Sequence, residues 1–259
     1  MLVILAAISL FTANAFAKDL SDAAAIVERA NLAQYYAGKD GRAQIRMKIV
    51  DAQQRSRLRQ FTVLRSEKKD GGDQFYLVVF EKPADVRNTT FLVKKHPQKD
   101  DDRWLYMPGL DLVKRISAGD KRTSFVGSNF FYEDISGRHH TEDTHKLKET
   151  NDQYYVIEST PKNRTGVEFA KYTLWVDKST FLPSKIEYTN KQGKVYRRIE
   201  TAQTKNIQGN PTITRLKVTD LESGAYTMSE IRNTKYDLGI PENIYTEASL
   251  RNPPSNWLK

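Results

Sequence analysis

The sequence contains no cysteine, and only four histidines and four methionines among its 259 residues. The missing thiol excludes a disulfide-stapled scaffold, a thiolate metal or redox centre, and a lipid-modified N-terminal cysteine. Hydrophobic residues amount to 39%, too few for a polytopic membrane protein. No low-complexity linker and no repeat at a fixed period divides the chain. What is present argues for a folded domain. With 13 Tyr, 11 Phe and 3 Trp, the chain has more aromatic surface than a disordered segment carries. It is also basic, with 41 Lys+Arg against 32 Asp+Glu and a formal net charge of +9.

The one long apolar run lies at the start. Met1 to Ala17 has no charged residue; Leu2 to Phe11 reads as an h-region, and Ala15-Phe16-Ala17 as an A-x-A cleavage site before Lys18. The run is too short for a good transmembrane helix. The expectation is a signal peptide over residues 1–17, cleaved after Ala17, and one exported domain over residues 18–259. Export without disulfides points to a bacterial periplasm.

Beyond the signal the apolar spacing first has a helical period. Ser21–Ala37 places Ala23, Ile26, Val27, Ala30 and Ala33 on one face, with Asp19 or Ser21 to cap it and Gly38 to end it. The period then drops to two. In Gly41–Val50, Ala43, Ile45, Met47 and Ile49 alternate with Gln44, Arg46 and Lys48. Further strand-like runs include Phe61–Arg65, Phe75–Phe80, Thr89–Lys94, Trp104–Met107, Tyr154–Ser159, Phe169–Val176, Lys185–Thr189 and Tyr226–Tyr236. Short turns such as Asp70-Gly71-Gly72-Asp73 and Asn190-Lys191-Gln192-Gly193 join them. Ser117–Glu149 interrupts the series and reads as loops with a short helix near Ser128–Ile135. The expected fold is mainly β: a half-open, strongly curved antiparallel barrel of about eleven strands, with an N-terminal helix and short helices or loops closing one side.

Several stretches carry a resemblance. Lys171–Arg198, reading KYTLWVDKSTFLPSKIEYTNKQGKVYRR, resembles the LolA-like family of outer-membrane lipoprotein-sorting proteins. Phe80–Arg87 leading into Thr90-Phe91-Leu92, and Arg103–Pro108 continuing to Phe125–Phe130 and Tyr132-Glu133-Asp134, are similar to that family's larger branch, associated with RND-type transporters. The resemblance implies a half-barrel whose concave interior holds acyl chains, and an RND-type inner-membrane exporter as partner. It also implies a cargo-gating arginine, for which Arg87 is the candidate by position.

The physics of such a carrier is simple. An exposed acyl chain costs about 0.8 kcal/mol per CH₂ in water, so carrying one across an aqueous compartment needs an apolar cavity. Leu77, Val79, Phe91, Val93, Trp104, Tyr106, Phe130 and Phe131 are the candidate lining. Ordinary sheet core uses the same residue types, so sequence alone does not separate the two. Basic clusters at Arg55–Arg59, Lys94–Lys95, Lys114–Arg115 with Lys121–Arg122, and Arg197–Arg198 suit transient contact with an anionic membrane surface, or a solvated exterior. No nucleic-acid motif appears.

Chemistry-bearing motifs are sparse. His139, His140 and His145 with Glu142 and Asp143 fall within seven residues, but their spacing matches no closed metal motif. There is no G-x-S-x-G elbow, P-loop or H-E-x-x-H. The reading is therefore a monomeric periplasmic carrier of lipid or lipoprotein acyl chains, without cofactor, metal or enzymatic activity. The alternatives are a lipid-sensing module reporting to a membrane partner and a secreted hydrolase, and no nucleophile–base pair supports the latter.

Overall fold

The alternation that begins near Gly41 continues, in the computed structural model, through thirteen strands of one antiparallel sheet. The structure describes residues 19–259; the expected signal segment over residues 1–17 lies outside them. Helix α1 (Ala23–Tyr35) precedes β1 (Asp40–Val50), β2 (Ser56–Glu67), β3 (Gln74–Lys82), β4 (Thr90–Lys95), β5 (Asp102–Met107) and β6 (Leu112–Arg115). After a connection holding α2 (Tyr132–Ser136) come β7 (Asp143–Thr150), β8 (Tyr154–Pro161), β9 (Phe169–Asp177), β10 (Pro183–Asn190), β11 (Val195–Ile207), β12 (Asn210–Asp220) and β13 (Tyr226–Tyr236). A short α3 (Ala248–Arg251) lies in the C-terminal segment.

The strand order is β6-β5-β4-β3-β2-β1-β13-β12-β11-β10-β9-β8-β7. The chain thus meanders outward from β1 to one edge, jumps to the far edge, and meanders back until β13 pairs with β1. The sheet is open and strongly curved, and bulges in several pairings, for example between Arg42 and Gln44, add to its bend. The jump explains the polar stretch after β6: residues 116–142 must cross the sheet face.

Three sequence expectations change in detail. The helix starts at Ala23 and is capped by Asp22, whose Oδ1 accepts from Ala24 N at 2.9 Å, while neither Asp19 nor Ser21 serves as the cap. The strands number thirteen, not about eleven. The end of the expected loop region, Asp143–Thr150, is the edge strand β7. Its sequence, DTHKLKET, offers a single apolar residue because an edge strand keeps much of its surface in water.

Register separates two faces. On the inner one Ile45 opposes Phe61, Phe61 opposes Phe80, and Val78 opposes Phe91. There Phe61, Phe80, Phe91, Phe125 and Tyr132 form an aromatic cluster, with ring centroids 4.8 to 6.3 Å apart, in which the crossing segment supplies Phe125 and Tyr132. The same face of β8–β10 packs against Ile26, Val27 and Ala30 of α1. On the outer face Leu64 opposes Leu77 and Leu77 opposes Leu92. That face is covered by the C-terminal segment through Ile240, Tyr245 and Leu250. The Tyr245 ring stacks on Phe75 at 5.6 Å, and Thr90 Oγ1 donates to the Leu250 carbonyl at 2.6 Å. Burial on both faces explains why Phe75–Phe80 is apolar at every position.

Candidate functional site

Helix α1 covers the inner face with small residues, and the gap it leaves is a groove. Ala30, Ala33 and Gln34 point across it at Ile45, Val63, Ile186, Ile213 and Leu216 of the sheet. An alanine helix cannot fill the hollow of a strongly curved sheet, so apolar wall remains open on both sides of the helix. The space consists of two adjoining cavities of about 120 and 250 Å³ that share Gln34, Tyr35, Ile213 and Leu216 as walls. One polar atom on the larger cavity's wall, Thr234 Oγ1, is buried without a hydrogen-bond partner.

The C-terminal turn of α1 is held down by Arg65 on β2. Its Nη1 donates to the Tyr35 carbonyl at 3.0 Å and to Glu67 Oε2 at 2.8 Å, and its Nη2 donates to the carbonyls of Ala37 and Gly38. The Tyr35 carbonyl is one that the helix end leaves unpaired and the other two follow the C-cap, so one planar guanidinium fastens the turn that ends the helix and lines the groove at once. Gln74 Nε2 adds a second donor to the Tyr35 carbonyl at 2.7 Å. Burial pushes the Glu67 carboxyl up to about 7, against the pull of the Arg65 charge.

The crossing segment walls the other cavity and is pinned by buried charge. Glu133 accepts from Arg122 Nη1 at 2.6 Å and lies 3.3 Å from Lys121 Nζ and 3.2 Å from Arg138 Nη1. Burial opposes its charge, yet Arg122, Arg138 and Lys121 together hold its carboxyl at about 2. Arg138 also bonds Asp143 at 2.8 Å, and Arg122 reaches Glu168 at 2.7 Å. Lys95 Nζ donates to the Ser136 and Gly137 carbonyls at 2.6 and 3.2 Å, and burial pushes its ammonium down to about 8. Gly137, at φ +77, passes so near α1 that a Cβ there would stand 2.5 Å from the Tyr35 ring. The crossing segment and the helix are therefore fitted to each other.

The sequence-derived lining candidates fall in three places. Phe91, Val93 and Phe130 are on the inner face in the filled aromatic core, and Phe130 also touches the groove. Leu77, Val79, Trp104 and Tyr106 are on the outer face, under the C-terminal segment. Phe131 lies beneath the guanidinium groups of Arg122 and Arg197, 5.0 and 4.2 Å from its ring. Arg87 is exposed, and its Nε donates to the Glu81 carbonyl at 3.4 Å. The arginine that engages the helix is Arg65. His139 Nε2 sits 2.8 Å from Asp101 Oδ1, and His145 bonds Ser159 Oγ and the His140 carbonyl, each at 2.8 Å. Among the described residues no three His, Cys, Asp or Glu side chains converge as a metal-binding group.

Comparison with known proteins gives a consistent picture. A family model described only as an uncharacterized protein matches residues 72–252. A DUF1329 family protein from Desulfovibrio piger is 28% identical, with a TM-score of 0.79 over 88% of this chain and 98% of that one. A domain from Vibrio parahaemolyticus named for outer-membrane lipoprotein sorting is 26% identical, with a TM-score of 0.80 over 88% and 98%. A LolA superfamily protein from Nitrosomonas europaea, 24% identical over 87% and 98%, shares the fold at a TM-score of 0.67. No curated protein matches the chain. With the family model covering more than half of its residues, the chain belongs to that family of uncharacterized proteins, and it is similar in sequence and fold to the DUF1329 protein from Desulfovibrio piger and the lipoprotein-sorting domain from Vibrio parahaemolyticus.

Proposed function

We propose that the protein is a periplasmic carrier that holds one or more acyl chains of a lipid or lipoprotein in the groove between α1 and the inner face, for transfer between the inner and outer membranes. One observation carries this reading: an apolar groove left open under a helix whose end is latched to the sheet by Arg65 and Gln74. A packed core of this size closes its voids, because unfilled apolar space forfeits dispersion contacts. Space lined by Ile45, Val63, Ile213 and Leu216 fits hydrocarbon. The free Thr234 hydroxyl fits one acceptor within it, such as an acyl ester or amide carbonyl. The lipoprotein-sorting name of the relative from Vibrio parahaemolyticus supports the same cargo class.

The groove is open beside α1, and Arg65 ties the helix end to β2, so release of those bonds would let α1 lift and widen the space for cargo. Holding and releasing hydrocarbon involves no bond chemistry, and the reading is of a binding protein acting as a monomer, not an enzyme. The resemblance of residues 80–134 to the transporter-associated branch supports an RND-type exporter of the inner membrane as the donor. Native mass spectrometry of the protein extracted gently from its own cells tests the proposal. A bound mass of lipid or acylated peptide, lost in a variant with the groove filled, is the expected result; a uniformly empty protein contradicts it.

A further inference from the structure

The three large aliphatic side chains that stand exposed among the described residues are Leu58, Leu110 and Leu112, at 42%, 71% and 46%. Strand register puts all three at one end of the sheet. Leu58 opposes Lys48, two residues from the end of β1; Leu110 is in the β5–β6 turn, and Leu112 opposes Met107 at the end of β5. Four strand spacings, about 19 Å, separate β2 from β6, and Leu58 lies three residues further along the strands than Leu112, so the group spans roughly 20–25 Å. Scattered exposed leucines need no explanation; a cluster at one end of a basic protein does.

The charges around them are one-sided. Arg57, Lys82, Arg87 and Lys114 are exposed at or near this end and enter no salt bridge among the described residues. The acids there are mostly taken up: Asp51 by Arg55, Asp85 by Arg59 and Asp111 by Arg251. Glu81 accepts from Thr62 Oγ1 at 2.6 Å. Free cations beside projecting leucines are the pattern of a surface that sits at a bilayer boundary, with alkyl groups below the headgroups and ammonium or guanidinium groups on the phosphates.

We propose that this end of the sheet is where the protein sets down on an anionic bilayer, with Leu58, Leu110 and Leu112 entering the headgroup boundary. The inference deepens the carrier reading and rests on it for its purpose, since cargo must leave one membrane and enter another. The contact itself does not depend on what the groove holds.

Co-sedimentation with vesicles tests it. The purified protein is mixed with phosphatidylcholine vesicles, with or without about a third phosphatidylglycerol, at low and high salt. Binding to the anionic vesicles that weakens with salt is expected, with little binding to the neutral ones. Leu110→Ser with Leu112→Ser should weaken it at least tenfold, and Lys82→Gln or Lys114→Gln about fivefold each. All four positions are exposed, so thermal unfolding should stay as in wild type. Binding of a fluorescent fatty-acid analogue in the groove should also stay unchanged, which separates the two readings. Wild type that ignores anionic vesicles, or a double leucine variant that sediments as wild type does, overturns the inference. Loss of the fatty-acid probe in wild type with vesicle binding retained counts against the groove alone.

Discussion

Arg65 and Glu67 stand on the same face of β2 with Nη1 and Oε2 2.8 Å apart, directly beneath the carbonyls that end α1. The pair is nearly closed to solvent, at 10% and 2% side-chain exposure. Its guanidinium is the main polar link between the sheet and the end of the helix that covers the groove, with Gln74 the second. Replacing Arg65 by Met should remove that link and leave Glu67 without its cation, lowering stability by about 3–5 kcal/mol. Arg65→Lys should not restore it, because a single ammonium cannot span three carbonyls and a carboxylate. Hydrogen exchange localises the effect: amides in the last turn of α1 should lose protection before those of β9 do.

Glu67 makes the latch pH-dependent. Its folded value near 7 lies above the ordinary 4.5, so the folded protein holds a proton there that the unfolded chain has already lost. The resulting stability is full below about 4.5 and is lost as pH rises through 7. Glu67→Gln should flatten the stability profile across that window, and urea unfolding at pH 5, 6, 7 and 8 measures the slope directly.

Glu133 works in the opposite sense. Held near 2, it stabilises the fold above about 4.5 and ceases to do so as pH falls toward 2. Glu133→Gln removes the carboxylate that Arg122, Arg138 and Lys121 share and leaves them only Glu168, Asp143 and Glu142 as counter-charges, and a loss of about 3 kcal/mol is expected. Thermal unfolding at neutral pH is sufficient to detect it.

Leu77 distinguishes the two faces. It is fully buried between Leu64, Leu92 and the C-terminal segment. Leu77→Trp should overpack that layer and cost about 1–3 kcal/mol, with fatty-acid probe affinity unchanged. A stable variant that no longer binds the probe would move the cargo site to the outer face.

The sheet was legible because alternation is local: Ala43, Ile45, Met47 and Ile49 announce a half-buried strand without reference to the rest of the chain. Which face holds the groove was not. Phe75–Phe80 is apolar at every position, so nothing in it tells Leu77 from Val78; their sides follow from the register passed on from β1 through β2. Arg65 reads as an ordinary strand cation until Tyr35, Ala37 and Gly38, some thirty residues earlier, fold over it. Ile213 and Leu216 are three apart on a strand, and period two would put them on opposite faces. The bulges around Gln203 in the pairing of β11 with β12 bring both into the groove. The edge strand β7 stayed hidden for the reason that makes it an edge.

Ile213 offers the most direct test of the central claim. It lines both cavities and belongs to none of the three core clusters, so a larger side chain there should occupy open space. The measurement is a titration of a fluorescent fatty-acid analogue into wild type and Ile213→Trp, with thermal unfolding of both. Saturable binding to wild type, at least tenfold weaker in the variant at nearly the same unfolding temperature, is the predicted result. Equal binding to both, or none to wild type, contradicts the assignment of the groove as the cargo site.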